Sequence, residues 1–228
     1  MKIDLPFKEI DIPNLDKVIT ELQNYTKNIH PGLYQAINTD TPFSRLAAEA
    51  MWEKQYDVDI GMWRNAYPDV YQDVLEECPT VQESLKEYGE VVNLAFFCLW
   101  QKESPIHSDD TVMHLYDQKT RMNPEHKHLY EKFPDFIVRS RINIPLFNCE
   151  KSRTVWWEPK EEKTFILNGP IRTYKEHECS KLAEITLSKA TILRVDIPHQ
   201  VVNDGWRFPR LAATLTMDKD LTCYLTKN

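Results

Sequence analysis

Three stretches of the sequence combine residue types that could do chemistry together. The first is Pro105-Ile106-His107-Ser108-Asp109. A histidine and an aspartate two apart on an extended segment project to the same side, so both can reach one ion. The second is the strand-like run from Ile192 to Asn203, which holds His199. Pro198 restricts Ile197 to extended geometry and has no N–H to donate, so this part of the strand reads as an edge or an irregularity. The third is Arg210 to Met217, where Arg210, Ala212, Thr214 and Thr216 share one face and Leu211, Ala213, Leu215 and Met217 the other. The first of those faces is small and hydroxylic with a guanidinium at its end, which suits an anionic guest bound through two parallel hydrogen bonds. Each stretch alone has an ordinary reading: an exposed loop pair, a hydrogen-bonded histidine at a sheet surface, a strand whose polar side faces water. Together they supply two imidazoles and one carboxylate, a facial set that leaves three positions of a divalent ion open, with a carboxylate-binding arginine close by. His199 and Arg210 flank the short segment Asn203-Asp204-Gly205-Trp206, so their strands are expected to form a hairpin and to face one cavity.

The elements that must position these residues change character along the chain. In residues 2–12 a broken alternation predicts an edge strand interrupted at Pro6. Leu15, Val18, Ile19, Leu22 and Tyr25 recur at helical spacing, with Asn14 as N-cap. Residues 44–55 are good helix formers. Residues 69–88 read as two short helices split at Pro79, with Thr80 and Glu83 as a capping box. From Glu90 the sequence turns β-branched and aromatic, and Val91–Trp100 has the composition of a buried strand. Further strand-like runs fall at 135–147, 153–158, 164–167, 170–174, 183–187, 190–197 and 210–218. Many short strands with turns between them predict an all-β sandwich or jelly roll. The polar stretch 110–134 interrupts the series and reads as a lid-like insertion. The expectation is one domain over 1–228: a mainly β core over 90–218 with a helix-rich layer over 1–89 packed against it.

Composition narrows the alternatives. The chain has 228 residues, 42% hydrophobic and 28% charged, as expected of a globular chain with a proper core. Its net charge of -7 argues against nucleic acid as a partner. No signal-peptide pattern and no run of 18 apolar residues occurs, which predicts a cytoplasmic protein with no membrane span. The five cysteines are odd in number and widely spaced, with no CxxC, so all are expected reduced. The five glycines are scattered, which sets aside phosphate-cradling loops, and no GxSxG elbow is present.

With these residues in view, the chain resembles the iron(II)- and 2-oxoglutarate-dependent oxygenases, whose signature is HxD, then a distal His, then an Arg about ten residues later. Here the last spacing, His199 to Arg210, is eleven. The resemblance is nearest to the aspartyl/asparaginyl β-hydroxylase-like and proline-hydroxylase-like branch, through Arg141-Ile142-Asn143-Ile144-Pro145-Leu146 and His199-Gln200-Val201-Val202-Asn203. It covers roughly residues 90–218. Asn143 stands where that branch often carries His, and the 110–134 insertion lengthens the interval between Asp109 and Arg141. The resemblance implies a double-stranded β-helix (jelly-roll, cupin-like) core. It implies Fe(2+) bound by His107, Asp109 and His199, and 2-oxoglutarate as cosubstrate with O2. The far carboxylate of 2-oxoglutarate would pair with Arg210, assisted by Thr214, Arg141 or Asn143, and a C–H bond would be hydroxylated with release of succinate. Asp109 agrees with a hydroxylase, since the related halogenases lack the carboxylate.

The substrate is expected to be a small molecule or a peptide. Trp157, Trp206 and Arg121 are candidates to contact it, with Trp156 or Trp157 filling the core instead because one of them must face inward. Two rival readings stand beside this one. A cupin-like metalloenzyme without 2-oxoglutarate would need a further histidine, His114 or His177, at the metal. A non-catalytic β-sandwich binding module would make the HxD accidental.

Overall fold

A computed structural model describes residues 5–29, 74–99, 102–109, 139–161, 165–168, 171–205 and 210–226. The expected helix at 44–55, the 110–134 insertion with His114, Arg121, His126 and His128, and Trp206 and Phe208 lie outside the described residues.

The strands are β1 (Phe7–Glu9), β2 (Val91–Leu99), β3 (Ile106–Asp109), β4 (Ser140–Phe147), β5 (Ser152–Pro159), β6 (Ile166–Asn168), β7 (Ile171–Tyr174), β8 (Cys179–Thr186), β9 (Thr191–Arg194), β10 (His199–Asn203) and β11 (Arg210–Met217). They form two antiparallel sheets. One has five strands in the order β1-β9-β4-β11-β2, the other six in the order β6-β7-β3-β10-β5-β8. Leaving aside β1 and the β6–β7 pair, successive strands alternate between the sheets except where β5 passes to β8. The inner faces meet. Phe7 of the first sheet stacks on Trp156 of the second at 5.2 Å, the Trp156 indole donates to the Arg194 carbonyl, and the Cys149 thiol just before β5 donates to the Leu211 carbonyl.

Alternation along the five-stranded sheet separates two environments. Leu94, Phe96, Ile142, Ile144, Ile192, Leu211, Ala213, Leu215 and Met217 join the main apolar core on its outer face. That core is completed by helix α1 (Leu15–Ile29), through Val18, Leu22 and Tyr25, and by the short helix α2 (Pro79–Leu85), through Val81 and Leu85. The helical spacing read in the sequence is therefore the buried stripe of α1, and Asp16 and Lys27 at its two ends complement the helix dipole. The opposite face of the sheet carries Arg141, Asn143, Arg210, Ala212 and Thr214 towards the second sheet.

Two expectations are corrected. The capping box at Thr80–Glu83 does not form, because Pro79 already occupies the first turn of α2 and Cys78 stands at its N-cap with no side-chain cap bond. The Glu21 carboxylate of α1 takes that role, accepting from the Thr80 backbone N–H at 3.1 Å and its hydroxyl at 2.6 Å. The hairpin between the strands of His199 and Arg210 does not form either. β10 pairs with β3 and β5, and β11 with β2 and β4, so the chain crosses from one sheet to the other between them. Of the two tryptophans of β5, Trp156 is the one that fills the core: it is the direct cross-strand partner of His199 and is fully buried, while Trp157 is partly buried and follows a shift in the β5–β8 register. Pro198 marks an irregularity and not an edge: β9 ends at Arg194, a bend follows, and β10 lies inside its sheet. No described helix is long and apolar enough to cross a membrane, and Cys78, Cys149, Cys179 and Cys223 are free.

Candidate metal centre and anion pocket

β3 and β10 are joined through one Cα pair, His107 opposite His199. Cross-strand neighbours share a face, so this register alone sets the two imidazoles side by side, with ring centroids 4.5 Å apart. Asp109, two residues along β3, falls on the same face, its Oδ1 3.8 Å from His107 Nε2. Candidate ligand atoms of His107, Asp109 and His199 all lie within 4.8 Å of one another. Small side-chain rotations bring three such atoms to the ~2.0–2.2 Å bonds of a divalent ion.

The backbone fixes which nitrogen faces the centre. His107 Nδ1 lies 2.8 Å from the Pro105 carbonyl, and His199 Nδ1 lies 3.0 Å from the Ile197 carbonyl. A carbonyl only accepts, so each Nδ1 carries the proton and donates, and each Nε2 keeps a free lone pair. In both cases the acceptor is two residues upstream, a local arrangement that the separate sequence segments share. Burial, reinforced by the charge of His107 and opposed by Asp109, pushes the His199 imidazole down to about 4. The neutral, ligating form is therefore the resting form at neutral pH.

Asp109 is itself buried and does not stand alone. Nη1 of Arg141, reaching across from β4, lies 2.8 Å from its Oδ2. The sequence reading gave Arg141 only a cosubstrate role, and nothing in the spacing of Asp109 and Arg141 announces that they pair. Among the described residues, Arg141 Nε is buried without a hydrogen-bond partner, as is Oδ1 of Asn143 on the same face of β4. Asn143 is opposite Thr214 of β11, which is only partly buried.

Arg210 starts β11 and is fully buried. Among the described residues, its Nε, Nη1 and Nη2 have no hydrogen-bond partner. Its guanidinium carbon lies 5.3 Å from the centre of the Phe97 ring, a contact worth ~0.5–2 kcal/mol and too weak to offset the several kcal/mol lost when a charge leaves water unpaired. The chain reaches Arg210 only after running the length of β10 and crossing over. The strand rise of ~3.3 Å per residue puts Asn203 roughly 13 Å along β10 from His199. Buried donors of this kind call for a partner such as an ordered water or an ion.

Among the other sequence candidates, His177 is exposed and its nearest charged partner is Glu178, at 3.7 Å, so it does not join the cluster. Arg121 and Trp206 are outside the described residues.

Neither a family model nor a curated relative matches the sequence. Solved structures similar to this chain include a non-heme monooxygenase, ThoJ, in its apo form (8% identity, TM-score 0.43, covering 93% of this chain and 73% of that one). Others are the epimerase SnoN in complex with Fe3+, alpha ketoglutarate and nogalamycin RO (9% identity, TM-score 0.36, 79% and 75%), and hydroquinone 1,2-dioxygenase from Sphingomonas sp. TTNP3 with 4-hydroxybenzoate bound (7% identity, TM-score 0.29, 60% and 67%). Identities and superpositions this low carry no inference about the chemistry of this chain.

Proposed function

We propose that this protein is an iron(II)- and 2-oxoglutarate-dependent oxygenase of the cytoplasm. It hydroxylates an unactivated C–H bond of an amino acid, a peptide side chain or a small metabolite. The observation that carries the reading is the pairing of the His107/Asp109/His199 donor set with a fully buried, unpartnered Arg210 in the same sandwich interior. Iron(II) with 2-oxoglutarate and O2 supplies the oxidising power, with succinate and CO2 as co-products.

The residues divide the work by their chemistry. His107, Asp109 and His199 hold the ion on one side and leave three positions free for a chelating ligand and O2. Arg210 takes the far carboxylate, through two parallel hydrogen bonds that its geometry favours. Thr214, Asn143 and the Nε of Arg141 line the way between them as further polar contacts. Burial of this set excludes water and strengthens each of these interactions. A double-stranded β-helix is the matching fold, supported by strands that alternate between two antiparallel sheets in the order β9-β4-β11-β2 and β3-β10-β5-β8. A metalloenzyme that did without 2-oxoglutarate would leave Arg210 with no cosubstrate to hold.

The test is an anaerobic absorbance titration. Iron(II) followed by 2-oxoglutarate should give the metal-to-ligand charge-transfer band of a chelated keto acid, and the band should be lost in His107→Ala and His199→Ala. In air, succinate should form slowly without substrate and faster with it. Iron that binds with no such band would exclude 2-oxoglutarate as the cosubstrate.

A further inference from the structure

We infer that Arg141 is a positioning residue which holds Asp109 as a one-oxygen ligand, and so keeps a third coordination position open. The inference rests on the metal reading of the His107/Asp109/His199 group. A carboxylate can bind a divalent ion through one oxygen or through both. With both engaged, a position needed by a chelating ligand and O2 is filled. The two oxygens of Asp109 are already distinguished here. Oδ1 lies 3.8 Å from His107 Nε2, on the side of the imidazoles. Oδ2 lies 2.8 Å from Arg141 Nη1, a charge-assisted hydrogen bond made by two largely buried side chains. Swinging Oδ2 onto the ion would break that bond between two side chains that are only 15% and 4% exposed.

The topology makes this hold stiff. Asp109 belongs to the six-stranded sheet, and its backbone N–H donates to the Val195 carbonyl at 2.9 Å. Arg141 belongs to the five-stranded sheet, where it is opposite Leu193 of β9. The next residue but one along that segment, Val195, donates its own N–H to the Arg139 carbonyl at 2.9 Å. The segment 193–195 therefore ties the backbones of both partners together, and the ion pair cannot relax by letting the sheets slide. A guanidinium beside the carboxylate has a second consequence: its positive charge opposes a divalent ion, so the site sacrifices affinity for an open coordination sphere.

Mn(II), a spectroscopic substitute for iron(II), gives a readout independent of turnover. Metal-bound waters are counted from the broadening of the Mn(II) electron paramagnetic resonance lines in 17O-enriched water, and Mn(II) affinity is titrated in parallel, both without 2-oxoglutarate. Wild type should carry three waters. Arg141→Met should carry two and bind Mn(II) on the order of tenfold more tightly, since a positive charge beside the ligand is gone. Arg141→Lys keeps the charge and one donor of similar reach, and should restore three waters and wild-type affinity. Three waters and unchanged affinity in Arg141→Met would overturn the inference and leave the metal reading standing. A wild type that binds no Mn(II) would overturn both. Should Arg141→Met fail to fold even with metal, Arg141→Lys decides: two waters there would refute the role assigned to the hydrogen bond.

Discussion

Replacing Arg210 by methionine should raise the stability of the ligand-free protein and abolish its response to 2-oxoglutarate. The guanidinium is fully buried, and among the described residues none of its nitrogens has a hydrogen-bond partner. An unpaired charge in such a place costs several kcal/mol, while its contact with Phe97 returns at most ~2 kcal/mol. Methionine fills a similar volume with flexible apolar atoms, so little is lost in packing. Exchanging buried charges for apolar side chains of matching size stabilises by about 1–4 kcal/mol where the charge was poorly compensated. For a chain of this length that is a rise in Tm of roughly 2–4 °C per kcal/mol. Wild type, loaded with Mn(II) and given 2-oxoglutarate at about 100 times its Kd, should gain ~2.7 kcal/mol, because only the native state binds the ligand. The variant should gain almost nothing, since losing a buried charge-assisted pair typically weakens binding by 2–5 kcal/mol. Anaerobic scanning calorimetry of both proteins, each with Mn(II) and with and without 2-oxoglutarate, reads all four numbers. A variant that melts below wild type and still shifts with 2-oxoglutarate would refute the reasoning that Arg210 awaits an anion.

Two further outcomes follow from the same structure. The metal-free protein should lose stability as pH falls through the window from 6.5 to about 4, because burial depresses His199 in the folded state. The unfolded chain then binds the proton first, so stability is full above 6.5 and declines below it, by roughly 3 kcal/mol in all; urea melts across that range measure it, and in His199→Gln the slope should flatten. Trp156→Phe should cost about 2–3 kcal/mol, since it strands the Arg194 carbonyl and opens space beneath the Phe7 ring. Trp157→Phe removes an indole N–H that is buried with no partner among the described residues and should cost less than half as much; equal losses in denaturant melts would refute that difference.

Much of this protein was decided within its segments. The stripe Val18, Leu22 and Tyr25 fixed the buried side of α1, and the alternation in 140–147 and 210–217 fixed which residues of β4 and β11 share a face, because periods of 3.6 and 2 are properties of the local backbone. His107 and Asp109 were bound to project together for the same reason, and the strand-turn composition after residue 90 limited the fold to a two-sheet β architecture. What the segments could not contain is which strand lies beside which. A turn after Asn203 looks the same whether the chain folds back into a hairpin or crosses to the other sheet. That choice depends on what covers each strand's apolar face, a property of the assembled sandwich. The same global packing set His199 opposite His107, turned Trp156 into the core, and brought Glu21 to the start of α2 in place of the local cap. It also joined Asp109 to an arginine of the other sheet, a pairing across 32 residues of chain that hydrophobic pattern cannot encode and that only the burial of both charges makes obligatory.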